Sequence, residues 1–294
     1  MVIKARLGII GGSGHYDLED LVNIREVDVQ TPFGSPSDTI TLGTLNGVSL
    51  AFLPRHGRGH KLGPGEIPAK ANIYALKSLG VERIISMSAV GSLQEEIQPL
   101  DVVIPDQIID RTSNRPSTFF SAGIVAHIAF GDPYCPELRE IVIEASGRHQ
   151  PHTHAKGTLI VMEGPAFSTL AESNLYRSWG GNIIGMTALP EAKLAREAEI
   201  CYATLAFVTD YDCWHERAES VTVELVISNL QRNVATGRRI LSDVISLLPN
   251  SRNCSCKSAL ENSIVTASDK IPSETKTELA LIIDKYFSTK SEVP

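Results

Sequence analysis

The sequence predicts an α/β protein. Short apolar runs rich in Val and Ile alternate with helical segments along the whole chain, the pattern of a sheet covered by helices. Several of these runs end in glycine-rich or polar loops, the layout of one site assembled from many strand exits. The 294 residues, 43% hydrophobic and 21% charged, are ordinary globular usage and enough for a sizeable core. No internal repeat and no clean domain boundary interrupts the pattern. The chain therefore reads as one domain over 1–294, with its core at about 7–248 and a C-terminal loop and helix at about 250–290.

The first element is a short strand, Leu7-Gly8-Ile9-Ile10, running into Gly11-Gly12-Ser13-Gly14. The glycines let backbone N–H groups approach a ligand, and Ser13 adds a hydroxyl. It is not a dinucleotide fingerprint, because the G-x-G-x-x-G spacing and a clear helix start are missing. A phosphate-binding turn and a purely structural turn remain equal readings. Thr39 to Leu45 and Val48 to Leu53 flank Asn46-Gly47, a strong hairpin signal. The second of these strands leads into Pro54-Arg55-His56-Gly57-Arg58-Gly59-His60. Arg55 and His56 at a strand exit suit an oxyanion, with a planar donor fork and a ring N–H.

Pro64 to Leu79 reads as a helix stopped by Gly80, and Arg83 to Ser92 as a buried strand whose end could present Ser88 and backbone N–H groups to an anion. Asp101 to Ile104 is a short strand, and 111–122 an ordered loop or lid. Cys135 to Gly147 is a helix, Gly157 to Met162 a strand, Leu170 to Trp179 a helix and Ile183 to Thr187 a strand with a hydroxyl at its exit. Pro190 to Glu199 is a helix with Pro in its first turn. Tyr202 to Val208 is a buried strand leading to Thr209-Asp210-Tyr211-Asp212-Cys213-Trp214. A long helix covers about 221–248, and Pro249 ends it. Glu278 to Phe287 is a terminal helix.

Net charge is −7, from 27 Lys+Arg against 34 Asp+Glu, which argues against nucleic-acid and membrane-surface partners. No apolar run reaches the ~18 residues of a membrane helix, and no signal-peptide layout opens the chain, so the expected location is cytoplasmic. The five cysteines are scattered and odd in number, unlike a secreted disulfide framework. Cys254-Ser-Cys256 has too few Cys and His near it in sequence for a zinc site, and a structural or redox-sensitive disulfide is its reading.

Asp210 and Asp212 alone read as a solvated acidic loop, but their company of polar strand exits points to chemistry. On a continuing strand, residues two apart point to the same side. A carboxyl can donate when protonated and accept when ionised. Such a pair can hold an amino-heterocycle and protonate one of its ring nitrogens.

Gly11-Gly12-Ser13-Gly14, Thr31-Pro32-Phe33-Gly34, Arg55-His56-Gly57-Arg58, Glu163-Gly164-Pro165, Met186-Thr187 and the acidic stretch occur in one chain in one order. The set resembles the 5′-methylthioadenosine phosphorylases of the trimeric purine nucleoside phosphorylase superfamily, over roughly residues 7–248. The resemblance implies a purine nucleoside phosphorylase-like fold, with a mixed, twisted, barrel-like sheet flanked by helices. It implies phosphate attack at C1′ of methylthioadenosine, releasing adenine and 5-methylthioribose 1-phosphate. Inorganic phosphate would be the cosubstrate, with no metal or organic cofactor. By motif, Ser13, Arg55, His56, Ser88, Ala89 and Thr187 would bind phosphate. Met186 would lie against the sugar, Phe167 and Ser168 would border the base, and Asp210 and Asp212 would read it, with Tyr211 between them. His60, Val223 and Val226 would line the methylthio end. His127 would come from a neighbouring subunit of a homotrimer or pair of trimers. Ser13 stands where many relatives have Thr, and Gly185 where close relatives have Asn. Gly at that position also occurs in 6-oxopurine relatives, so a purine nucleoside or methylthioinosine phosphorylase is the alternative.

Overall fold

The computed structural model describes residues 4–12, 21–215 and 222–287. The strands are β1 (Leu7–Gly11), β2 (Val22–Val27), β3 (Ile40–Leu45), β4 (Val48–Pro54), β5 (Arg83–Ser92), β6 (Val102–Val103), β7 (Gln107–Arg111), β8 (Thr153–His154), β9 (Thr158–Met162), β10 (Ile183–Gly185) and β11 (Cys201–Asp210). The helices are α1 (Ala69–Ser78), α2 (Pro136–His149), α3 (Leu170–Ser178), α4 (Ala188–Glu197), α5 (Val223–Leu247) and α6 (Ser273–Phe287). Among the described residues all strands join one mixed sheet, in the order β2-β3-β4-β1-β5-β10-β9-β7, with β11, β6 and β8 branching from β5. The α/β class and the mixed, helix-flanked sheet agree with expectation.

β5 organises the sheet. Its first half pairs in parallel with β1, from Arg83 to Ser86, and its end pairs antiparallel with β10 at Gly91 and Ser92. β11 runs along the other edge from Cys201 to Asp210. Among the described residues, the edge facing β1 and β10 therefore has no strand neighbour between Ser86 and Gly91. Ser88 and Ala89 lie in that gap.

β11 is buried throughout because both of its faces are covered. Cys201, Ala203, Leu205 and Phe207 point into a core shared with α2 and α5. Tyr202, Ala206 and Val208 point into the core beneath α1, α4 and α6. This is why the segment reads as a continuous apolar run rather than an alternating one.

Several boundaries moved for identifiable reasons. The helix expected from Pro64 begins at Ala69, after a short 3-10 turn, because Pro68 caps it and restricts Ile67 to extended backbone. In α4, Leu189 is non-helical, so regular helix starts only at Pro190. β2, β7 and β8 were not anticipated; β2 is an exposed edge strand and β8 has two residues, so neither carries a hydrophobic pattern. The hairpin holds as expected, with φ of 49° at Asn46 and 76° at Gly47 matching the β3–β4 connection. In the first half of α5 the buried positions are Asn229, Asn233 and Gly237, while Val223, Val226, Leu230 and Val234 remain half-exposed or exposed. The valine stripe is therefore not the core face there.

Candidate active site

Asp210 ends β11, and the chain then turns. A register shift falls between Val208 and Asp210, and Asp212 adopts a left-handed φ of 51°. The two carboxylates therefore do not share a face by strand alternation, as the sequence suggested. A turn brings them together instead, in which the Asp212 N–H donates to Asp210 Oδ1 at 2.8 Å. The Thr209 hydroxyl lies 2.7 Å from Asp210 Oδ2 and 3.2 Å from the Val90 carbonyl. It has one proton and can satisfy only one of these acceptors. When it donates to Val90, a protonated Asp210 supplies the other bond.

Burial raises the Asp210 pKa above the ordinary carboxylate value, and the nearby Asp212 charge adds to this. Asp212 is raised as well, mainly by burial, while the Ser173 and Ser168 hydroxyls pull it back. Both are buried, at 6% exposure each. The loop is clamped around them. Asn229 Nδ2 of α5 donates to the Thr209 carbonyl at 2.7 Å, Trp214 Nε1 to Ser92 O at 2.8 Å, and the Arg177 guanidinium stacks on Trp214. Tyr211 turns outward, its hydroxyl directed at Glu95 O.

Gly91 makes room for this arrangement. A Cβ on it would sit 2.8 Å from Asp210 Oδ1 and 3.3 Å from the Asp212 nitrogen. Gly91→Ala is therefore expected to displace the Asp210 carboxylate and to lower kcat by at least about tenfold, a cost of about 1.4 kcal/mol in transition-state stabilisation. Steady-state kinetics beside a melting curve check it: full activity with an unchanged melt would mean that Asp210 has slack the geometry does not show.

Across the gap in the sheet, Ser88 and Thr187 meet. The antiparallel register that pairs Ile183 with Ser92 and Ile184 with Gly91 carries Thr187 to the level of Ser88. Their hydroxyls are 3.4 Å apart. Ser88 aligns with Ala206 on β11, and Gly91 with Asp210. The hydroxyl pair and Asp210 are thus about 10 Å apart along β5. Met186 lies between them, packed against Gly164, whose φ is 66° and whose Cβ would stand 2.5 Å from Met186 Sδ.

Arg55 wedges the gap open. It is buried, and its fork bonds Glu191 (Nε to Oε1, 2.5 Å; Nη2 to Oε2, 3.2 Å), Met87 O, Ile10 O and Ser86 Oγ. Tyr202 OH also donates to Glu191, at 3.0 Å. The expectation of an Arg55 fork devoted to an anion needs correction: most of its donors serve the sheet, and Glu191 offsets its charge. Glu191 was missed, since a lone acidic residue early in a helix has no distinguishing spacing. His56 is corrected too. Its Nδ1 lies 2.9 Å from Leu62 O, which can only accept, so the ring N–H is spent there. Burial lowers its pKa to about 4, so the ring is neutral at pH 7 and offers Nε2 as an acceptor. His60 stacks on it, with ring centroids 4.2 Å apart.

The other expected residues are less tightly gathered. Ser168 is buried beside Met162, whereas Phe167 is 45% exposed. Val223 is 58% exposed at the start of α5, with Val226 one turn further along. His127 is exposed, on a segment bridged to Ile264. Ser13 lies outside the described residues. Arg115 was missed: buried in the 111–122 loop, it donates to the carbonyls of Met186, Leu189, Met162 and Glu163 and so ties the Met186-Thr187 exit to the Glu163 loop. That loop is anchored rather than a lid. A cavity of about 200 Å³ beside Phe33, Lys70 and Arg115 includes none of the acidic or hydroxyl groups above.

The chain has many relatives of known family. The family model of the phosphorylase superfamily matches residues 6–246. The chain is 57% identical to an S-methyl-5′-thioadenosine phosphorylase of Thermosynechococcus vestitus, over 97% of this chain and 100% of that one. It is 55% identical to the enzyme of the same name from Gloeobacter violaceus, over 99% of each. Among solved structures, a methylthioadenosine phosphorylase from an antarctic soil metagenomic library superposes with a TM-score of 0.91 at 50% identity, covering 95% of this chain and 99% of that one. Methylthioadenosine phosphorylase from Schistosoma mansoni in complex with adenine gives 0.80 at 35% identity, covering 96% and 98%. With a matching family model across most of its length and relatives above half identity end to end, the chain belongs to the phosphorylase superfamily.

Proposed function

We propose that this chain is an S-methyl-5′-thioadenosine phosphorylase, a pentosyltransferase that cleaves methylthioadenosine with phosphate to adenine and 5-methylthioribose 1-phosphate, in purine and methionine salvage. The observation that carries it is the buried, turn-linked pair Asp210 and Asp212, about 10 Å along β5 from the hydroxyls of Ser88 and Thr187. That spacing suits a nucleoside with its base at one end and the attacking phosphate at the other.

Glycosyl transfer passes through an oxocarbenium-like state, so the site needs an anion on one face and leaving-group stabilisation at the base. Phosphate rests against Ser88, Thr187, the Ala89 backbone and the Arg55–Glu191 pair, with Ser13 from the glycine turn. Neutral His56 accepts a hydrogen bond at Nε2 from a phosphate O–H. A phosphate oxygen bonds to C1′ as the C1′–N9 bond breaks, and the bonding pair moves into the purine. Protonated Asp210 then gives its proton to N7. Asp212 accepts from the N6 amine, Phe167 and Ser168 border the ring, and Met186 covers the sugar. His60, Val223 and Val226 line the methylthio end. The half-exposed valine stripe at the start of α5 supports that last assignment.

The working unit in this reading is a trimer or pair of trimers, with His127 reaching a neighbour's site. The exposed Phe167, Leu170, Leu175, Trp179 and Val125 support an assembled state. A cytoplasmic location is consistent with the absence, among the described residues, of any helix long and apolar enough to cross a membrane.

Product analysis with methylthioadenosine, with and without phosphate, tests the reaction: base release independent of phosphate would remove it. Asp212→Asn tests the base. Its amide can donate to a 6-oxo group, so the kcat/KM ratio of methylthioadenosine to methylthioinosine is expected to fall by at least about tenfold, as for other sites that discriminate by hydrogen bonding. An unmoved ratio would mean that the base is not read at Asp212.

A further inference from the structure

Four of the five cysteines converge at the end of the molecule remote from the acidic pair. The sulfurs of Cys135, Cys201, Cys254 and Cys256 all lie within 4.8 Å of one another, and all four residues are buried. Cys201 Sγ and Cys254 Sγ are 3.3 Å apart. They come from three parts of the fold. Cys135 is the N-cap of α2, Cys201 opens β11, and Cys254 and Cys256 flank the start of a 3-10 turn, Ser255–Ser258. The sequence reading discounted a zinc site because too few ligands lie near Cys254-Ser-Cys256; the fold supplies the other two from far along the chain.

We propose that these four thiolates bind one zinc ion. A tetrahedral site with Zn–S bonds of about 2.3 Å spaces its sulfurs about 3.8 Å apart, within the spread of this cluster. The donor set is sulfur alone, which selects zinc over hard cations such as magnesium or calcium. Four thiolates leave no open position, as in structural rather than catalytic zinc sites.

Binding four thiols follows Zn²⁺ + 4 RSH → Zn(SR)₄²⁻ + 4 H⁺, so the site must tolerate two negative charges. Two features supply the compensation. Arg252 Nη1 lies 4.0 Å from Cys201 Sγ, held there by the carbonyls of Glu82 and Glu199. The N-terminus of the 14-residue α2 points its partial positive charge at Cys135. The four cysteines belong to one apolar core cluster with Leu138, Val142 and Leu205, which limits access of water and competing ligands.

The metal would pin the 250–260 tail to the start of β11 and the head of α2. Cys201 and Asp210 are the two ends of β11, a ten-residue strand, so the site is about 30 Å from the acidic pair. It takes no part in the chemistry at Asp210.

The test uses the full chain. Expressed in zinc-supplemented medium and purified with reductant but no chelator, it is expected to carry about one zinc per chain by elemental analysis. Chelator-treated, reduced protein titrated with cobalt(II) is expected to develop the intense visible bands of tetrahedral thiolate coordination, saturating at about one equivalent and bleached by zinc. The double variant Cys254→Ser/Cys256→Ser should lose at least about nine-tenths of its zinc and melt at lower temperature, with phosphorolysis retained at moderate temperature. The cobalt titration decides the matter even if that variant fails to fold. Metal below about a tenth per chain, with no cobalt spectrum, overturns the proposal. Thiol counting after unfolding then says what replaces it: free thiols mean an apolar cluster, and their absence means two disulfides.

Discussion

Asp210→Asn is expected to lower kcat for methylthioadenosine by about 10²–10⁴-fold, the usual worth of a positioned general acid, while substrate KM changes little. The amide keeps the carboxyl's shape and still accepts the Asp212 N–H that bonds Asp210 Oδ1. It can donate a hydrogen bond toward N7 but cannot surrender a proton. The pH profile adds a second readout. Burial and the Asp212 charge raise the pKa of Asp210, so its acid form persists to higher pH than that of an ordinary aspartic acid. Turnover in the wild type should therefore decline as pH rises through that raised value, because the proton donor is lost. The Asn variant should lack that limb. Steady-state kinetics across pH check both statements. A variant within about threefold of wild-type kcat would remove Asp210 from proton transfer.

The second large effect is expected at Arg55. Arg55→Ala leaves Glu191 buried, at 1% exposure, without its cationic partner and with Tyr202 and Ser86 as its remaining partners among the described residues. Breaking a buried pair by removing one member costs about 3–5 kcal/mol, a large share of the ~5–15 kcal/mol that holds a typical domain folded. The same change should raise the phosphate KM by at least about tenfold, since it removes a positive charge at the open edge of β5. The double variant Arg55→Ala/Glu191→Gln separates these roles. Neutralising Glu191 should recover part of the lost stability, because the orphaned charge is gone, but should not restore the phosphate KM. Denaturant titrations and phosphate kinetics on Arg55→Ala, Glu191→Gln and the double variant, beside the wild type, form the cycle. If the double variant recovers phosphate affinity along with stability, Arg55 acts only as the wedge between β1 and β5.

The α/β class was legible in the sequence, and so were the segments that form the candidate site. β11 was legible because it is buried on both faces and reads as a nearly continuous apolar run, and β5 because its Ile84-Ile85 core leads into small and hydroxylic residues. The turns at Asn46-Gly47 and the strand exits at Arg55, Ser88, Thr187 and Asp210 were legible because glycines, hydroxyls and charges end those runs abruptly. Tertiary structure decided how those groups are used. Strand alternation alone would have set Asp210 and Asp212 side by side, but a bulge and a left-handed residue join them through a turn. Arg55 looked like a free anion clamp until the fold brought Glu191 to its fork and the ends of β1 and β5 to its other donors. Cys254-Ser-Cys256 looked isolated until α2 and β11 delivered two more sulfurs. The physical reason is common to all three. Local pattern reports which groups leave an element and in what order. The charge and coordination of a buried group depend on partners from remote segments, and those meet only when the sheet closes.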